Sequence, residues 1–165
     1  MMIRPALPFD AEAIARIYNY YILNTVITFE EQVVAPQTIA ERLQEVRAAG
    51  LPWLVAESSG TLVGYAYASM WKDRSAYRYS VESTVYLDPA ALRVGFGSGL
   101  YAALLDSLRR QNVHVVIGGV ALPNEASIRL HEKFGFRKVA HFEEVGFKFG
   151  RWVDVGYWQL ILSQE

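Results

Sequence analysis

The sequence predicts an α+β fold of the mixed α/β kind, with one central sheet of about seven strands and helices on both faces. Three observations predict it. Strand-like and helix-like segments follow in the order β-α-α-β-β-β-α-β-α-β-β. Some neighbouring strands are joined by tight turns and must be antiparallel, whereas others are separated by helices, which permits a parallel crossover. Residues 114–120 are almost continuously apolar, as expected of a strand buried in the middle of a sheet.

Residues 2–6 read as the first strand. Asp10, just after Pro8, is placed to cap a helix, and Ile14, Ile17, Tyr18, Tyr21 and Ile22 give that helix an apolar stripe. Residues 24–34 are β-branched and aromatic without a clear period and read as a loop. A second helix starts near Pro36. Thr38 followed by Glu41 resembles a capping box, Ile39, Leu43 and Val46 form the buried stripe, and Gly50 and Pro52 end the helix. Residues 53–57 and 62–71 are strands joined by a Ser58-Ser59-Gly60 turn. A polar, aromatic loop over 72–78 leads to a strand over 81–87. Val81, Ser83, Val85 and Leu87 share one of its faces, and Glu82, Thr84 and Tyr86 the other. Asp88-Pro89 stops it. A glycine-bearing loop over 90–99 precedes a helix marked by Leu100, Leu104, Leu105 and Leu108. After the central strand, Asn124 caps a further helix carrying Ile128, His131 and Phe134 on one face, with Gly135 at its end. Residues 136–149 and 152–162 make a last strand pair around Gly150-Arg151. No repeat, linker or low-complexity segment interrupts the chain, so residues 1–165 read as a single domain.

Composition narrows the function. Sixteen Lys and Arg against 17 Asp and Glu give a net charge of -1, which argues against bulk attraction to nucleic acid or to an anionic membrane. With no cysteine, disulfides, thiolate metal sites and a cysteine nucleophile are excluded. His114, His131 and His141 are too scattered for a zinc motif, so no metal is expected. No apolar run has the length of a membrane span, and the first residues lack a signal peptide's apolar core. These readings suggest a cytoplasmic protein. Aromatics make up 13% of the chain and cluster in short polar stretches, which suggests a lined pocket or an interface.

The most informative segment is Arg93-Val94-Gly95-Phe96-Gly97-Ser98-Gly99-Leu100, after a strand and at the opening of a helix. Backbone N–H groups at such a junction lack internal partners, and the helix dipole adds positive character. Glycines allow close approach and Arg93 adds a charge, so the segment reads as a pyrophosphate cradle or as a flexible glycine-rich helix start. A Walker loop would need a lysine after the glycines. A Rossmann loop would need a third glycine where Leu100 stands, and would follow the first strand.

The segment resembles the acyl-CoA loop of the GNAT acetyltransferase superfamily, Gln/Arg-x-x-Gly-x-Gly/Ala. Gly95 and Gly97 match, while Leu92 stands where Gln or Arg is usual, which removes a side-chain contact and leaves the backbone cradle. The stretch from Asn124 through Ala126 to Gly135-Phe136 resembles a second superfamily signature. Within the superfamily the chain is similar to the phosphinothricin and methionine sulfoximine acetyltransferases. Ile17-Tyr18-Asn19, Val81-Glu82-Ser83-Thr84-Val85-Tyr86, Leu130-His131-Glu132-Lys133 and the run Val145-Gly146-Phe147-Lys148-Phe149-Gly150-Arg151-Trp152 carry that likeness.

The resemblance implies the GNAT fold, acetyl-CoA as donor, a small amino-acid-like amine as acceptor and a homodimer. It makes Glu82 the base that deprotonates the acceptor ammonium; by periodicity alone Glu82 is a strand glutamate in a surface pair. Val85, Tyr86 and Leu87 are expected to meet the pantetheine arm, with the Val85 N–H on the thioester oxygen. Arg93, Val94, Gly95, Phe96, Gly97, Ser98 and Gly99 would hold the pyrophosphate, and Asn124 would both cap its helix and touch the cofactor. His131 stands where many members carry the tyrosine that protonates the departing thiolate, and reads otherwise as a packed helix histidine. Arg74, Tyr77 and Arg78 form a cationic, aromatic run suited to an acceptor carboxylate, or a solvated loop. Phe29 and Glu30 resemble the family's substrate-facing loop. Lys148, Arg151 and Trp152 are expected at a turn near a subunit contact or a neighbouring active site. Without cysteine, transfer would be direct through a ternary complex. Acetylation of protein N-termini or polyamines is an alternative, as is a non-catalytic acyl-CoA-binding module. The balance of Lys72, Arg74 and Arg78 against Asp73 favours an anionic or zwitterionic acceptor over a polyamine.

Overall fold

The computed structural model describes residues 1–92 and 95–162. Seven strands, β1 (Met2–Pro5), β2 (Trp53–Ser58), β3 (Thr61–Met70), β4 (Ser80–Leu87), β5 (Val115–Ala121), β6 (Arg137–Lys148) and β7 (Arg151–Ile161), form one sheet in the order β1-β2-β3-β4-β5-β7-β6. Every neighbouring pair is antiparallel except β4 and β5. Four helices, α1 (Ala11–Asn24), α2 (Pro36–Ala48), α3 (Phe96–Arg109) and α4 (Glu125–Lys133), connect them. The expected element order is the observed one. No helix among the described residues is long and apolar enough to cross a membrane.

The sheet separates two cores. On one face, Ile14, Ile17 and Tyr18 of α1 and Ile39 and Leu43 of α2 pack on Trp53, Val55 and Tyr65. On the other, Leu100, Leu104, Leu105 and Leu108 of α3 are wholly buried against Ala66, Ala68, Val81 and Val116, with Ile128 of α4 and Phe134 just after it beside them. The two faces of β4 divide between these cores. Tyr86 packs against the first and Val81, Val85 and Leu87 against the second, so Glu82 and Thr84 point to the α1–α2 side.

Three local expectations are corrected. Pro36 occupies the first turn of α2, so the helix starts two residues before Thr38, and no Thr38 capping box forms. Asp10 sits at the start of α1, but its carboxylate accepts the Leu7 N–H at 2.7 Å and pairs with Arg4 at 2.8 Å instead of capping that helix. The β6–β7 turn is Phe149-Gly150, not Gly150-Arg151. Both residues have positive φ, 53° and 72°, the twist a two-residue hairpin needs. A bulge between Phe142 and Gly146 bends β6 before this turn. Beyond it Gly146 and Lys148 are buried, while Val145, Phe147 and Phe149 are exposed.

Candidate active site

The parallel contact of β4 with β5 is short. Ser80, Val81 and Glu82 pair with Val115, Val116 and Ile117, and the two strands then part. A cavity of about 270 Å³ occupies the opening. Its walls are Glu82 to Tyr86 of β4, Gly119 to Ala121 of β5, and Asn124, Ser127 and His131 at the start and inner face of α4. Tyr101 of α3, Val155 and Tyr157 of β7, and Ile27, Thr28 and Phe29 of the loop after α1 complete it. Where the strands diverge, their facing backbone groups no longer pair with each other and are open to an extended ligand.

Glu82 stands at the last paired position, half-buried. No described side chain hydrogen-bonds its carboxylate. Burial raises its pKa above the usual carboxylate value, and the nearby Lys72 ammonium partly opposes that shift. Tyr157 also feels Glu82: burial and the carboxylate's charge both raise its phenol pKa. Trp71 packs edge-on against Tyr157 at 5.6 Å, and the Lys72 ammonium lies 4.9 Å from the Trp71 ring centre.

At the other wall, the Asn124 side chain accepts the Ser127 N–H at 3.1 Å, the cap expected from sequence. His131 is buried, and its Nδ1 lies 2.7 Å from the Ser127 carbonyl oxygen. A carbonyl only accepts, so Nδ1 carries the proton. Burial holds the His131 pKa below the ordinary histidine value, leaving a neutral ring whose Nε2 faces Gly118. Tyr101 packs edge-on against His131 at 5.3 Å, and its hydroxyl meets Ser83 Oγ at 2.6 Å.

Gly95 opens α3 with a φ of 75°, a left-handed conformation suited to glycine. The Gly99 N–H makes the first bond of the helix, to the Gly95 carbonyl, so the N–H groups of Phe96, Gly97 and Ser98 have no partner within it. A side-chain carbon at Gly97 would meet only Leu87, at an ordinary 3.4 Å. Among the described residues, the fold therefore has room for a β-carbon there. This helix start lies against Leu87, the last residue of β4.

Comparison with known proteins identifies the family. The family model for a GNAT acetyltransferase domain matches residues 3–156. The chain belongs to the GNAT acetyltransferase family. It is 41% identical to a phosphinothricin N-acetyltransferase of Streptomyces viridochromogenes over 157 residues, covering 95% of this chain and 85% of that one. It is 38% identical to an L-methionine sulfoximine/L-methionine sulfone acetyltransferase of Salmonella typhimurium, covering 100% and 96%. The structure of yncA from Salmonella typhimurium with its cofactor acetyl-CoA superposes with a TM-score of 0.96 at 37% identity, covering 99% and 95%. A phosphinothricin acetyltransferase from Sinorhizobium meliloti in complex with acetyl-CoA gives 0.95 at 34%, covering 98% and 88%.

Not every residue singled out in the sequence meets at the cavity of this GNAT acetyltransferase. Glu82, Val85, Tyr86, Asn124, His131 and Phe29 line it. Leu87 lies just beyond, its carbonyl accepting the Tyr21 hydroxyl at 2.6 Å. The glycine segment was expected to be a loop to residue 99, but Phe96, Gly97, Ser98 and Gly99 form the first turn of α3. Arg93 and Val94 lie outside the described residues. Arg74, Tyr77 and Arg78 do not reach the cavity. A 3-10 turn over Ser75–Tyr77 folds their run back into solvent, and the Arg78 guanidinium bonds the Ser75 carbonyl and stacks on Tyr79. Glu30 also turns away, because Arg42 grips its carboxylate at 2.6 and 2.9 Å and Tyr18 donates to it. Lys148 flanks the β6–β7 turn, paired with Arg151, and its buried ammonium donates to the Thr28 carbonyl at 2.8 Å. Sequence reasoning passed over Ser83, Tyr101, Ser127 and Tyr157. For Tyr157 alone there was a signal, Gly118-Gly119 inside a strand. Glycine there marks a close approach, and His131 and Tyr157 fill the space that side chains at 118 and 119 would need.

Proposed function

We propose that the chain transfers the acetyl group of acetyl-CoA to the α-amino group of a small amino-acid-like compound of the phosphinothricin, methionine sulfoximine or methionine sulfone type. One observation carries this reading: the opening between β4 and β5 holds Glu82, partly desolvated, and runs along β4 toward Leu87, against which the α3 start packs. The pantetheine arm lies along the unpaired edge of β4 near Val85 and Tyr86, and the pyrophosphate takes the free N–H groups of Phe96, Gly97 and Ser98. Asn124 contacts the donor from the opposite wall. The Val85 N–H polarises the thioester oxygen.

The acceptor enters past Phe29 and presents its ammonium to Glu82. Lys72, close enough to lower the Glu82 pKa, meets an acceptor carboxylate. The ammonium gives one proton to Glu82 and its lone pair attacks the thioester carbon; as the C–S bond breaks to release the CoA thiolate, the nitrogen gives up its second proton and the neutral amide is left. A thiol of ordinary pKa, about 8.5, leaves readily as thiolate and takes the nitrogen's second proton, relayed through water. His131 is thus a neutral wall residue in this scheme rather than the acid, because its one proton is committed to Ser127. Incubating the protein with acetyl-CoA and a panel of amino-acid analogues, polyamines and N-terminal peptides, while following free thiol, tests the assignment. Turnover is expected with the amino-acid analogues. Turnover confined to polyamines or peptides, or donor binding without turnover, would refute it.

The exposed apolar side of the β6–β7 hairpin supports a homodimer. Val145, Phe147, Phe149 and Trp152 are all more than half exposed, and the rings of Phe147 and Trp152 lie 4.7 Å apart. Such a patch marks an association surface, and a second copy of the chain would bury it. The parent protein is expected to sediment as a dimer and Trp152→Ser to shift toward monomer. A monomeric parent at micromolar concentration would sink the idea.

A further inference from the structure

We propose that Gly146 and Lys148 of β6 are positioning residues that set the acceptor end of the cavity by fixing where Phe29 stands. This rests on the function proposed above. The loop after α1 has no helix or strand of its own from Thr25 to Ala35. Its helix side is tied down by side chains. Asn19 bonds both the N–H and the carbonyl of Val34, Tyr18 meets Thr28 Oγ1 at 2.8 Å, and Arg42 holds Glu30. None of these contacts fixes Phe29, which lines the cavity while remaining partly exposed.

The hairpin supplies the missing support. A side-chain carbon at Gly146 would fall 2.3 and 2.4 Å from two atoms of the Phe29 ring, so the ring rests directly on the bare backbone of β6. Two residues on, Lys148 is 1% exposed and its ammonium donates to the Thr28 carbonyl, next to Phe29 in the chain. A buried ammonium needs partners, and this one is placed to hold the loop rather than to meet solvent. The bulge after Phe142 brings these two residues to the inner side of the hairpin.

The test is a double-mutant cycle between Gly146→Ala and Phe29→Ala, with acceptor and donor KM measured separately. Gly146→Ala is expected to raise acceptor KM about tenfold in the parent and less than twofold in the Phe29→Ala background, because the methyl then meets no ring. Donor KM should stay within about twofold in every variant, as the ring lies at the acceptor side. Lys148→Met should raise acceptor KM in the same manner and Lys148→Arg should restore most of it. Equal effects of Gly146→Ala in both backgrounds, or donor KM moving in step with acceptor KM, would overturn the proposal. A parent inert toward every amine would overturn the functional reading instead. Melting temperatures of the same four proteins then still decide the coupling: Gly146→Ala lowers Tm only when Phe29 is present if the hairpin fixes the ring, and equally in both backgrounds if it does not.

Discussion

Glu82→Gln is expected to lower kcat/KM at pH 7 by about 10²- to 10⁴-fold, the usual range for loss of a positioned base. The loss should shrink as pH approaches the pKa of the acceptor amine, because free amine then needs no base. The same change should make the protein more stable. Burial raises the folded-state pKa of Glu82 above the ordinary value of 4.5. Between those two values the folded protein keeps a proton that the unfolded chain has lost, so stability falls as pH rises through that window. Glutamine removes this dependence. The variant should therefore melt above the parent at pH 8, with the difference vanishing below pH 4.5. Activity retained at pH 7 removes Glu82 as base. A melting difference that persists at low pH assigns the stability gain to packing rather than to the buried charge.

Gly118→Ala should be the most damaging single methyl group in the site. The added carbon would lie 2.3 Å from His131 Nε2 and 2.7 Å from Cδ2. The His131 ring cannot swing aside easily, because Nδ1 is bound to Ser127 and the ring packs edge-on against Tyr101 and Phe136 at 5.3 and 5.1 Å. Relief must come from movement of α4 away from β5. Overpacking of this kind costs about 1–3 kcal/mol, a Tm fall of about 2–12 °C for a chain of this size. Donor KM should rise with it, since Asn124 and Ser127 travel with α4. His131→Ala should abolish the effect of the methyl. Calorimetry on the four proteins of this cycle checks it, and an equal Tm loss with and without the His131 ring would refute the clash.

The element order was legible in the sequence because periodicity reports burial. The leucines of α3 and the apolar stripe of α1 recur as a covered helix face requires, and the near-continuous apolar run of β5 announced a strand between two layers. The Asn124 cap was legible because an N-cap is local: donor and acceptor are three residues apart. Most of what escaped depends on residues distant in the chain. Glu30 looked free until Arg42 of the next helix closed on it. Arg74 and Arg78 looked suited to a carboxylate because a sequence does not show that Ser75–Tyr77 curls into a turn. Lys148 read as part of a turn near a subunit contact or a neighbouring active site, and nothing local told that its ammonium points inward. The bulge in β6 and the Thr28 carbonyl, 120 positions away, make it a buried residue. The parting of β4 and β5 left no mark in the local pattern, because it is a property of pairing and not of either strand.

That parting also divides the sheet into two half-sheets, β1 to β4 and β5 to β7, stitched together by only three register pairs. A donor lying between them in the proposed manner serves as a temporary extra strand. Since it binds only when both halves are in place, it would add cohesion through mass action, about 2.7 kcal/mol at a concentration one hundred times its Kd. The enzyme's resistance to unfolding, and with it its lifetime among proteases, would then rise and fall with the supply of its own donor.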